Sequence, residues 1–432
     1  MIRYATEWSS TFARKGAALG VAALALIVAV SGCDSLLEVE PNPEEVPADA
    51  LDDPTALQSR LVGTEAEFWF SHSHAIWYAG LFTDELIDAT GFEEVDERRV
   101  QPSNGTIGSA GYNQDGIDGL WTPVQTAVAT ADGLQQDIAD GSFPDQLPSA
   151  ENSDEYARMS IFAGYAKLSL GELFCTTAFG GDGPELTSQE TYAIAAEEFT
   201  QAIEASNVSE DVLYAALVGR ARAHLMMGND QSALSDAQRV PLEWEMVGDV
   251  FSSASIVEEN ELWDMITDSQ RSSVGPDFRE LTIDDTETAD PRVDVFHDPN
   301  DQFGSDGSTV LWQARKYLSA DAPVRLASGV EARYIVAELQ GGQQAVDIIN
   351  EVRDHQGIDV DWQPDDPTDE DEILRKVISE RSRSLFLEGN RMGNMRRYLD
   401  RYGIDLFPTG EGFGDQTCMP LPNAERDFNP DI

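Results

Sequence analysis

Apolar residues recur at helical spacing along most of the chain after Pro54. Thr55 can cap a first helix in which Leu57, Leu61 and Phe68 follow this spacing. The pattern predicts a second helix, or the end of that second helix, at 81–88, and further helices over 119–134, 154–176, 187–205, 211–227, 230–239, 331–339, 343–354 and 370–389. The strong alternation typical of strands does not occur. We therefore expect a fold that is mostly all-α.

Several predicted helices form pairs around short turns. Gly228-Asn229-Asp230 separates two of them, and small residues such as Ala216 and Ala223 suit close helix packing. Units of this kind, with a length of about 34 residues, resemble tetratricopeptide repeats. We expect degenerate helix pairs, interrupted by long irregular loop insertions at 91–116 and between Pro241 and Ser328.

The N-terminus has the pattern of a secretory signal. Arg3, Arg14 and Lys15 precede an apolar stretch over 16–30. A spanning helix needs about 20 apolar residues, so this shorter stretch predicts a cleaved signal peptide over residues 1–32. Its end, Val30-Ser31-Gly32-Cys33, resembles the bacterial lipobox.

The lipobox resemblance implies that Cys33 carries lipid and that this lipid anchors the chain to a membrane. Stable anchoring needs more than one acyl chain. An ordinary secretory signal with an incidental Cys is the alternative. Residues 33–53 are acidic and contain Pro41, Pro43 and Pro47, which predicts an extended tether. Residues 54–432 then form the helical domain.

The charge balance changes the expected partners. The chain carries 79 Asp and Glu against 28 Lys and Arg, a formal net charge of −51. Nucleic acid is therefore not an expected partner. Lys is scarce while Arg stays common, a pattern that resembles proteins of salt-adapted organisms, where concentrated ions screen the repulsion. We attribute the acidity to habitat rather than to a ligand.

A C-terminal stretch over 380–397, ERSRSLFLEGNRMGNMRR, carries a family resemblance. Shorter matches are Asp84-Glu85-Leu86, Asp290-Pro291-Arg292-Val293, Lys316-Tyr317, Glu331-Ala332-Arg333 and Asn350-Glu351-Val352-Arg353. Together with the lipobox, the tether and the helix pairs, they resemble the SusD/RagB family of nutrient-binding outer-membrane lipoproteins.

The resemblance implies a binding protein and not an enzyme, with no cofactor. It implies a surface-facing position on the outer membrane, an oligosaccharide or peptide ligand, and a SusC-like TonB-dependent transporter as partner. The arginines of the C-terminal stretch, Arg381, Arg383, Arg391, Arg396 and Arg397, are expected to pair with carboxylates in the helical core, with Glu388 near the first two.

Two other function classes remain open. A lipoprotein scaffold would use an open repeat groove to bind envelope proteins. A carbohydrate-active hydrolase would need two carboxylates at a defined separation across a cleft. The sequence contains no P-loop, Rossmann glycine pattern, HExxH or GxSxG motif.

Metal binding is not expected. His72 and His74 lie in a predicted helix and point to different faces. Residues 298–306 offer oxygens but lack the spacing and the terminal Glu of an EF-hand, so we interpret them as a solvated loop. The acidic run over 369–372 is interpreted as the start of a helix that Thr368 can cap.

The cysteines other than Cys33 are Cys175 and Cys418. An even number in a compartment that tolerates disulfides predicts a bridge between them. Two buried free thiols are the alternative.

Saccharides bind against aromatic faces, with amides and carboxylates on their hydroxyls. We therefore expect the ligand site to use aromatic residues that core periodicity does not explain and that lie near the long loop. The aromatic candidates are Trp77, Tyr78, Phe92, Tyr112 and Trp121, the last of which we expect to be buried; the polar candidates are Asp88, Asn104 and Asn113.

Overall fold

The chain is mostly helical in a computed structural model, which describes residues 55–90, 120–147, 149–248, 260–284, 286–298, 300, 302–409, 416–422, 425–426 and 429–432. The predicted signal peptide, Cys33 with its predicted lipid, and the whole predicted tether lie outside these residues. Leu57–Ile432 forms one compact unit.

The helices follow the predicted order closely. They are α1 (Leu57–Phe82), α2 (Trp121–Ala139), α3 (Asp154–Leu173), α4 (Ser188–Glu204), α5 (Glu210–Met227), α6 (Asp230–Ala237), α7 (Glu261–Trp263), α8 (Gly329–Gln340), α9 (Gly342–His355), α10 (Glu370–Ser384) and α11 (Arg391–Tyr402). Short 3₁₀ turns lie at Ala150–Asn152 and Pro276–Phe278, and a π-helical turn at Asp264–Asp268. The mostly all-α prediction is confirmed.

Local sequence explains where several helices begin and end. The Ser209 hydroxyl accepts a hydrogen bond from the Val212 amide at the start of α5, and Thr187 and Glu190 form a capping box at the start of α4. Gly228 ends α5 in the left-handed conformation, with φ of 76°, which a residue with a Cβ rarely adopts.

Helices α2 to α6 pack in sequence order, each against the next. Phe199 of α4 is completely buried. A Cβ added to Gly164 of α3 or to Gly219 of α5 would lie only 2.7 Å or 2.4 Å from its ring, which is too close. The two glycines therefore let one aromatic ring fill the space between three helices.

The strands are short and form antiparallel pairs. They are β1 (Leu86–Asp88), β2 (Thr176–Thr177), β3 (Leu186–Thr187), β4 (Glu245–Gly248), β5 (Ser272–Val274), β6 (Val295–His297), β7 (Trp312–Ala314) and β8 (Val324–Ser328). The pairs are β1 with β5, β2 with β3, β4 with β8, and β6 with β7. Strands of this length cannot form a core of their own, so they lie against the helices.

Two predicted boundaries are wrong. Residues 81–88 contain the end of α1 and then strand β1, because the β1 backbone pairs with β5. The helix predicted over 370–389 ends at Ser384, and a separate helix, α11, follows it. Leu387 and Gly389 between the two helices have positive φ angles, and Asp369 rather than Thr368 caps α10.

Four of the five C-terminal arginines pair with carboxylates, as expected, whereas the expectation is wrong for Arg396, which binds backbone carbonyls. Arg391 donates to both oxygens of Asp84, at 2.8 and 2.5 Å, and Arg397 forms a bidentate pair with Glu338. Arg381 contacts Glu338 and Arg383 contacts Asp290, so Glu388 is not their partner. Glu388 instead pairs with Lys316 and Arg325, and Arg396 donates to backbone carbonyls of Gly171, Glu172 and Phe174.

A disulfide joins Cys175 to Cys418, with an S–S distance of 1.99 Å. Beside it, the Cys175 amide donates to the Met419 carbonyl and the Met419 amide donates to the Leu173 carbonyl, both at 2.8 Å. The tail is thus fixed to the end of α3. Among the described residues, no helix is long and apolar enough to cross a membrane.

Candidate ligand-binding site

Three of the predicted aromatic residues lie in the core. Trp77, Tyr78 and Trp121 are 4%, 8% and 5% exposed. The Trp77 indole N–H donates to the Ser272 hydroxyl at 2.6 Å, and Trp121 packs edge-on against Phe174. Core packing therefore explains Trp77 and Tyr78, contrary to the expectation that they lie outside the core pattern, whereas Trp121 is buried as expected.

Asp88 lies at the end of β1, opposite Ser272 of β5. Its Oδ1 atom accepts hydrogen bonds from the backbone amide and the hydroxyl of Thr90, at 2.9 and 2.7 Å. Phe92, Asn104, Tyr112 and Asn113 lie outside the described residues. Their ligand-binding role, like that of Asp88, stays a prediction.

The structure places an aromatic hairpin beside the start of the predicted loop. We use this name for residues 295–314, which contain β6, β7 and the turn between them. The amide of Asp306 and the hydroxyl of Ser305 both donate to the Ala89 carbonyl, at 2.8 and 3.0 Å. The hairpin therefore contacts the chain directly before residues 91–119.

A side chain of β5 also holds the hairpin. The Ser273 hydroxyl donates to the Val310 carbonyl at 3.0 Å and accepts the Trp312 amide at 2.9 Å. Because β5 pairs with β1, the hairpin and the end of β1 belong to one hydrogen-bonded layer. This layer sets the position of Asp88 relative to the hairpin.

The hairpin carries four aromatic residues. His297 and Trp312 are cross-strand partners, and their rings stack with centroids 4.3 Å apart and planes 12° apart. Phe296 and Phe303 are 44% and 46% exposed. Exposed aromatic rings of this kind can pack against the C–H face of a sugar.

Arg279 adds a hydrogen-bond donor to this surface. Its guanidinium lies 5.2 Å from the centroid of the Trp312 ring, and its Nε donates to the Val274 carbonyl. Burial lowers the pKa of Arg279, which still remains charged at neutral pH. No carboxylate in the described part of the chain pairs with it, so its outer N–H groups can bind the hydroxyls of a ligand.

Sequence reasoning missed the hairpin and Arg279. Strands β6 and β7 each contain three residues, which is too short for an alternating pattern. The one available signal is the concentration of Phe296, His297, Phe303 and Trp312 within a segment otherwise rich in Asp, Gly and Ser.

A second candidate surface is an open cleft between the first halves of α1 and α3, the start of α5 and strand β4. We call it the Trp69 cleft; its volume is about 470 Å³. Trp69 and Phe162 form an apolar wall of the cleft, and its charged lining residues include Glu65, Arg158 and Asp211. Apolar surface beside separate polar groups is typical of small-molecule sites.

A third cleft, of about 340 Å³, lies between α4, α5 and α11. Its arginines are already engaged: Arg401 forms a bidentate pair with Asp230, Arg397 pairs with Glu338, and Arg396 donates to backbone carbonyls. These side chains join helices together, so the cleft offers few donors to a ligand.

The histidine pair has structural contacts. His72 Nε2 lies 3.1 Å from the Arg325 carbonyl, and His74 Nε2 lies 3.6 Å from a Glu261 oxygen. Burial lowers the pKa of each imidazole to about 4. No group of His, Cys, Asp and Glu within the described ranges has the arrangement of a metal site.

Neither a protein-family model nor a curated protein sequence matches this chain. Solved structures do. A SusD superfamily protein from Bacteroides vulgatus has a TM-score of 0.65 at 15% identity, covering 88% of this chain and 98% of that chain. One from Parabacteroides distasonis has a TM-score of 0.64 at 13% identity, covering 87% and 98%.

A SusD-like carbohydrate binding protein from Bacteroides vulgatus is also similar, with a TM-score of 0.60 at 13% identity over 88% of this chain and 97% of that chain. The likeness extends over nearly the whole of each neighbour. The chain therefore has the SusD-like fold.

Proposed function

We propose that this chain belongs to the SusD/RagB family and is a lipid-anchored outer-membrane protein that binds oligosaccharides. It captures them at the cell surface and delivers them to a SusC-like TonB-dependent transporter. Peptides are the alternative ligand, and a scaffold for envelope proteins is the alternative function.

The observation that carries this proposal is the extent of the structural likeness. The SusD-like carbohydrate binding protein from Bacteroides vulgatus aligns over 97% of its length. Low identity means that its binding residues cannot be transferred, so the ligand site has to be argued from this chain.

The aromatic hairpin supplies the chemistry that oligosaccharide binding needs. Phe296 and Phe303 expose ring surface to solvent, and Arg279 beside Trp312 has no carboxylate partner within the described residues. The hairpin contacts Ala89, and the predicted loop residues Phe92, Asn104, Tyr112 and Asn113 follow Ala89 in the sequence, outside the described residues. We propose that loop and hairpin bind the ligand together.

Calorimetric titration with neutral oligosaccharides, in 1 M salt to screen the acidic surface, tests the binding function. Phe303→Ala should weaken binding about tenfold, because it removes an aromatic stacking surface. Arg279→Gln should weaken it by a similar factor, because it removes donors to the sugar hydroxyls.

Val62→Ala is the matched control, since Val62 is an exposed apolar residue, at 58%, on α1. It should bind as the native chain does. If no oligosaccharide binds the native chain, or if peptides bind and oligosaccharides do not, the proposal is wrong. Equal affinity of the native and Phe303→Ala chains for the oligosaccharide would show that the ligand binds elsewhere than on the hairpin.

The anchor and the transporter need a separate experiment in cells. Cys33→Ala should give a folded protein without lipid that leaves the membrane fraction, because the lipid does not contribute to the helical core. The native protein should co-purify with a TonB-dependent transporter. A lipid-labelled Cys33→Ala protein, or a native protein that co-purifies only with other envelope proteins, would contradict this part.

A further inference from the structure

Arg279, beside the aromatic hairpin, differs from the buried arginines of the fold in its electrostatic surroundings. Burial lowers its pKa, and no carboxylate of the described chain opposes that change. In Arg292 and Arg353, burial acts in the same direction, but paired carboxylates outweigh it and raise the pKa. Arg279 therefore carries a partly desolvated positive charge that the described residues do not neutralise.

Two contacts fix the Arg279 side chain. Its Nε donates to the Val274 carbonyl at 2.8 Å, and its guanidinium carbon lies 5.2 Å from the centroid of the Trp312 ring. Trp312 is held in turn, because its ring stacks on His297 and its backbone amide donates to the Ser273 hydroxyl. The guanidinium is thus oriented before a ligand arrives, which lowers the entropic cost of binding.

The outer nitrogen atoms of Arg279, Nη1 and Nη2, are available to a ligand. Neither forms a hydrogen bond with the described residues, and neither belongs to the polar atoms that are buried without a partner, so both reach solvent. Two parallel N–H groups of a guanidinium match two oxygens of a carboxylate or a sulfate. Arg279 can therefore bind an anionic group through both nitrogens.

The strand register places an exposed aromatic ring on the same face of the hairpin as Trp312. The chain from Val310 to Trp312 is extended, since the Ser273 hydroxyl binds the carbonyl of the first and the amide of the second. Side chains two residues apart in extended chain point to one face. Phe303 forms a bridge with Val310, so it shares that face, and it is 46% exposed. A ring for stacking and a guanidinium without a carboxylate partner in the described chain are thus combined in one surface.

We infer that the hairpin site prefers acidic oligosaccharides, and that Arg279 binds a carboxylate or sulfate group of the sugar. The inference rests on the proposed function and names the ligand class of that same site. The chain has 79 acidic and 28 basic residues, so its surface repels an acidic sugar at long range. At 1 M salt this repulsion is screened beyond about 3 Å, whereas direct contact with a partly buried cation is screened much less.

Calorimetric titration in 1 M salt tests the preference with neutral, uronic-acid-bearing and sulfated oligosaccharides. Each uronic oligosaccharide is also measured as its methyl ester, which removes the charge and keeps the sugar ring. The tightest acidic ligand should bind at least about tenfold more tightly than the tightest uncharged one, because charged hydrogen bonds are about twice as strong as neutral ones. A preference for either acidic class supports the inference, and the preferred class identifies the group that Arg279 binds.

Substitutions of Arg279 show whether this residue causes the preference. Arg279→Gln should weaken binding of uncharged oligosaccharides about tenfold and of acidic ones about a hundredfold, so the preference disappears. Arg279→Lys keeps the charge but loses the parallel N–H groups, and should keep part of the preference. The ratio of the two affinities is the readout, because a general disturbance of the hairpin would weaken both ligands alike.

Arg315→Gln is the matched control. Arg315 is exposed and directly follows β7, and strand alternation puts it on the opposite face from Trp312. The substitution changes the net charge by the same amount as Arg279→Gln and should leave the preference intact. If both substitutions abolish the preference equally, it arises from total charge and the inference is wrong.

The remaining outcomes separate the inference from the proposed function. If uncharged oligosaccharides bind the native chain as tightly as acidic ones, or if Arg279→Gln retains the preference, the inference is wrong and the proposed function stands. If no oligosaccharide of any class binds the native chain, both are wrong.

Discussion

The repeat region and the irregular region are stabilised in different ways. We use these names for helices α2 to α6 and for residues 260–328. In the repeat region, neighbouring helices pack through small and aromatic residues such as Gly164, Phe199 and Gly219. The irregular region has short strands and is joined to α9, α10 and the 385–390 turn mainly by charged side chains.

The difference follows from where backbone hydrogen bonds are made. A helix satisfies its own backbone groups, whereas irregular chain needs partners from elsewhere. The Arg383 guanidinium donates to the Thr282 carbonyl, Lys316 Nζ donates to the Phe386 carbonyl, and the Tyr317 hydroxyl donates to the Leu387 carbonyl. Cations are therefore used inside the fold as cross-links.

This use of cations also explains how a chain of net charge −51 forms a stable core. Arg353 is completely buried and contacts both Glu380 and Asp284, while Arg292 contacts Glu380 and Asp290. Many of the few basic residues neutralise internal carboxylates, so the surplus of Asp and Glu remains on the surface. Salt should therefore screen the surface while it leaves the buried pairs almost unaffected.

The largest expected effect comes from the centre of that network. Glu380→Gln removes the buried carboxylate that Arg292, Arg353 and Lys376 share, and leaves each of them with only one of its two carboxylate partners. We expect the free energy of unfolding to fall by about 3–5 kcal/mol, measured by urea denaturation at constant salt.

Glu351→Gln provides the control, because its pair with Arg333 is half exposed and should contribute less than about 1 kcal/mol. A loss below about 1 kcal/mol for Glu380→Gln would mean that the irregular region does not depend on its ion pairs.

The disulfide is the covalent link of the C-terminal tail to the repeat region. Replacing Cys175 and Cys418 together by Ala should lower the free energy of unfolding by roughly 3–5 kcal/mol, because the unfolded chain regains the freedom of a closed loop with a sequence separation of 243 residues. Helicity should stay unchanged, because α2 to α6 do not need the tail to form. Mass spectrometry of unreduced native protein in which both thiols react with an alkylating agent would contradict the bridge itself.

Sequence patterns predicted the repeat region best. Its helices have side-chain caps at Thr187 and Ser209 and a glycine stop at Gly228, all of which are local signals. The break between α10 and α11 has a tertiary cause instead: the Leu387 amide donates to buried Glu85 on a distant part of the chain, at 2.8 Å. No local pattern encodes that contact.

The candidate site was predicted less well for a related reason. Helix α1 is buried on all sides from Phe68 to Phe82, so Trp77 and Tyr78 show no amphipathic pattern that would assign them to the core. The exposed aromatic residues that the structure does show, Phe296 and Phe303, lie in a segment whose shape depends on contacts with Ala89 and Ser273.

Glu172 of the repeat region and Glu380 of α10, which pairs with Arg292 of the irregular region, should respond to pH in opposite ways. Burial raises the pKa of Glu172, on α3, from 4.5 to about 7, although Arg222 lies 4.0 Å away. Burial acts in the same direction on Glu380, but hydrogen bonds from Arg353 and the charges of Arg292 and Lys376 outweigh it and lower the pKa to about 2.

Glu172 therefore holds its proton more tightly in the folded chain than in the unfolded chain, and this contribution to stability is lost as pH rises from 4.5 to about 7. Glu172→Gln removes the titration. Relative to the native chain, the variant should gain on the order of 2 kcal/mol between pH 4.5 and pH 8, measured by urea denaturation at each pH. A difference that stays constant over this range would show that Glu172 titrates normally.

The smallest effect tests whether packing in the repeat region is as specific as its contacts imply. At Gly219, on α5, an added Cβ would meet the buried Phe199 ring at 2.4 Å, whereas at Gly133, on α2, nothing lies within 4 Å. Both positions are inside helices, where Ala is intrinsically better than Gly by about 0.5–1 kcal/mol. Gly219→Ala should nevertheless destabilise the protein by about 1–3 kcal/mol, because the Phe199 ring is enclosed by three helices and cannot move aside. Gly133→Ala should stabilise it by up to about 1 kcal/mol. Equal effects of the two substitutions on urea denaturation would mean that the space between α3, α4 and α5 is loosely filled, and that the repeat region owes its stability to something other than close packing around Phe199.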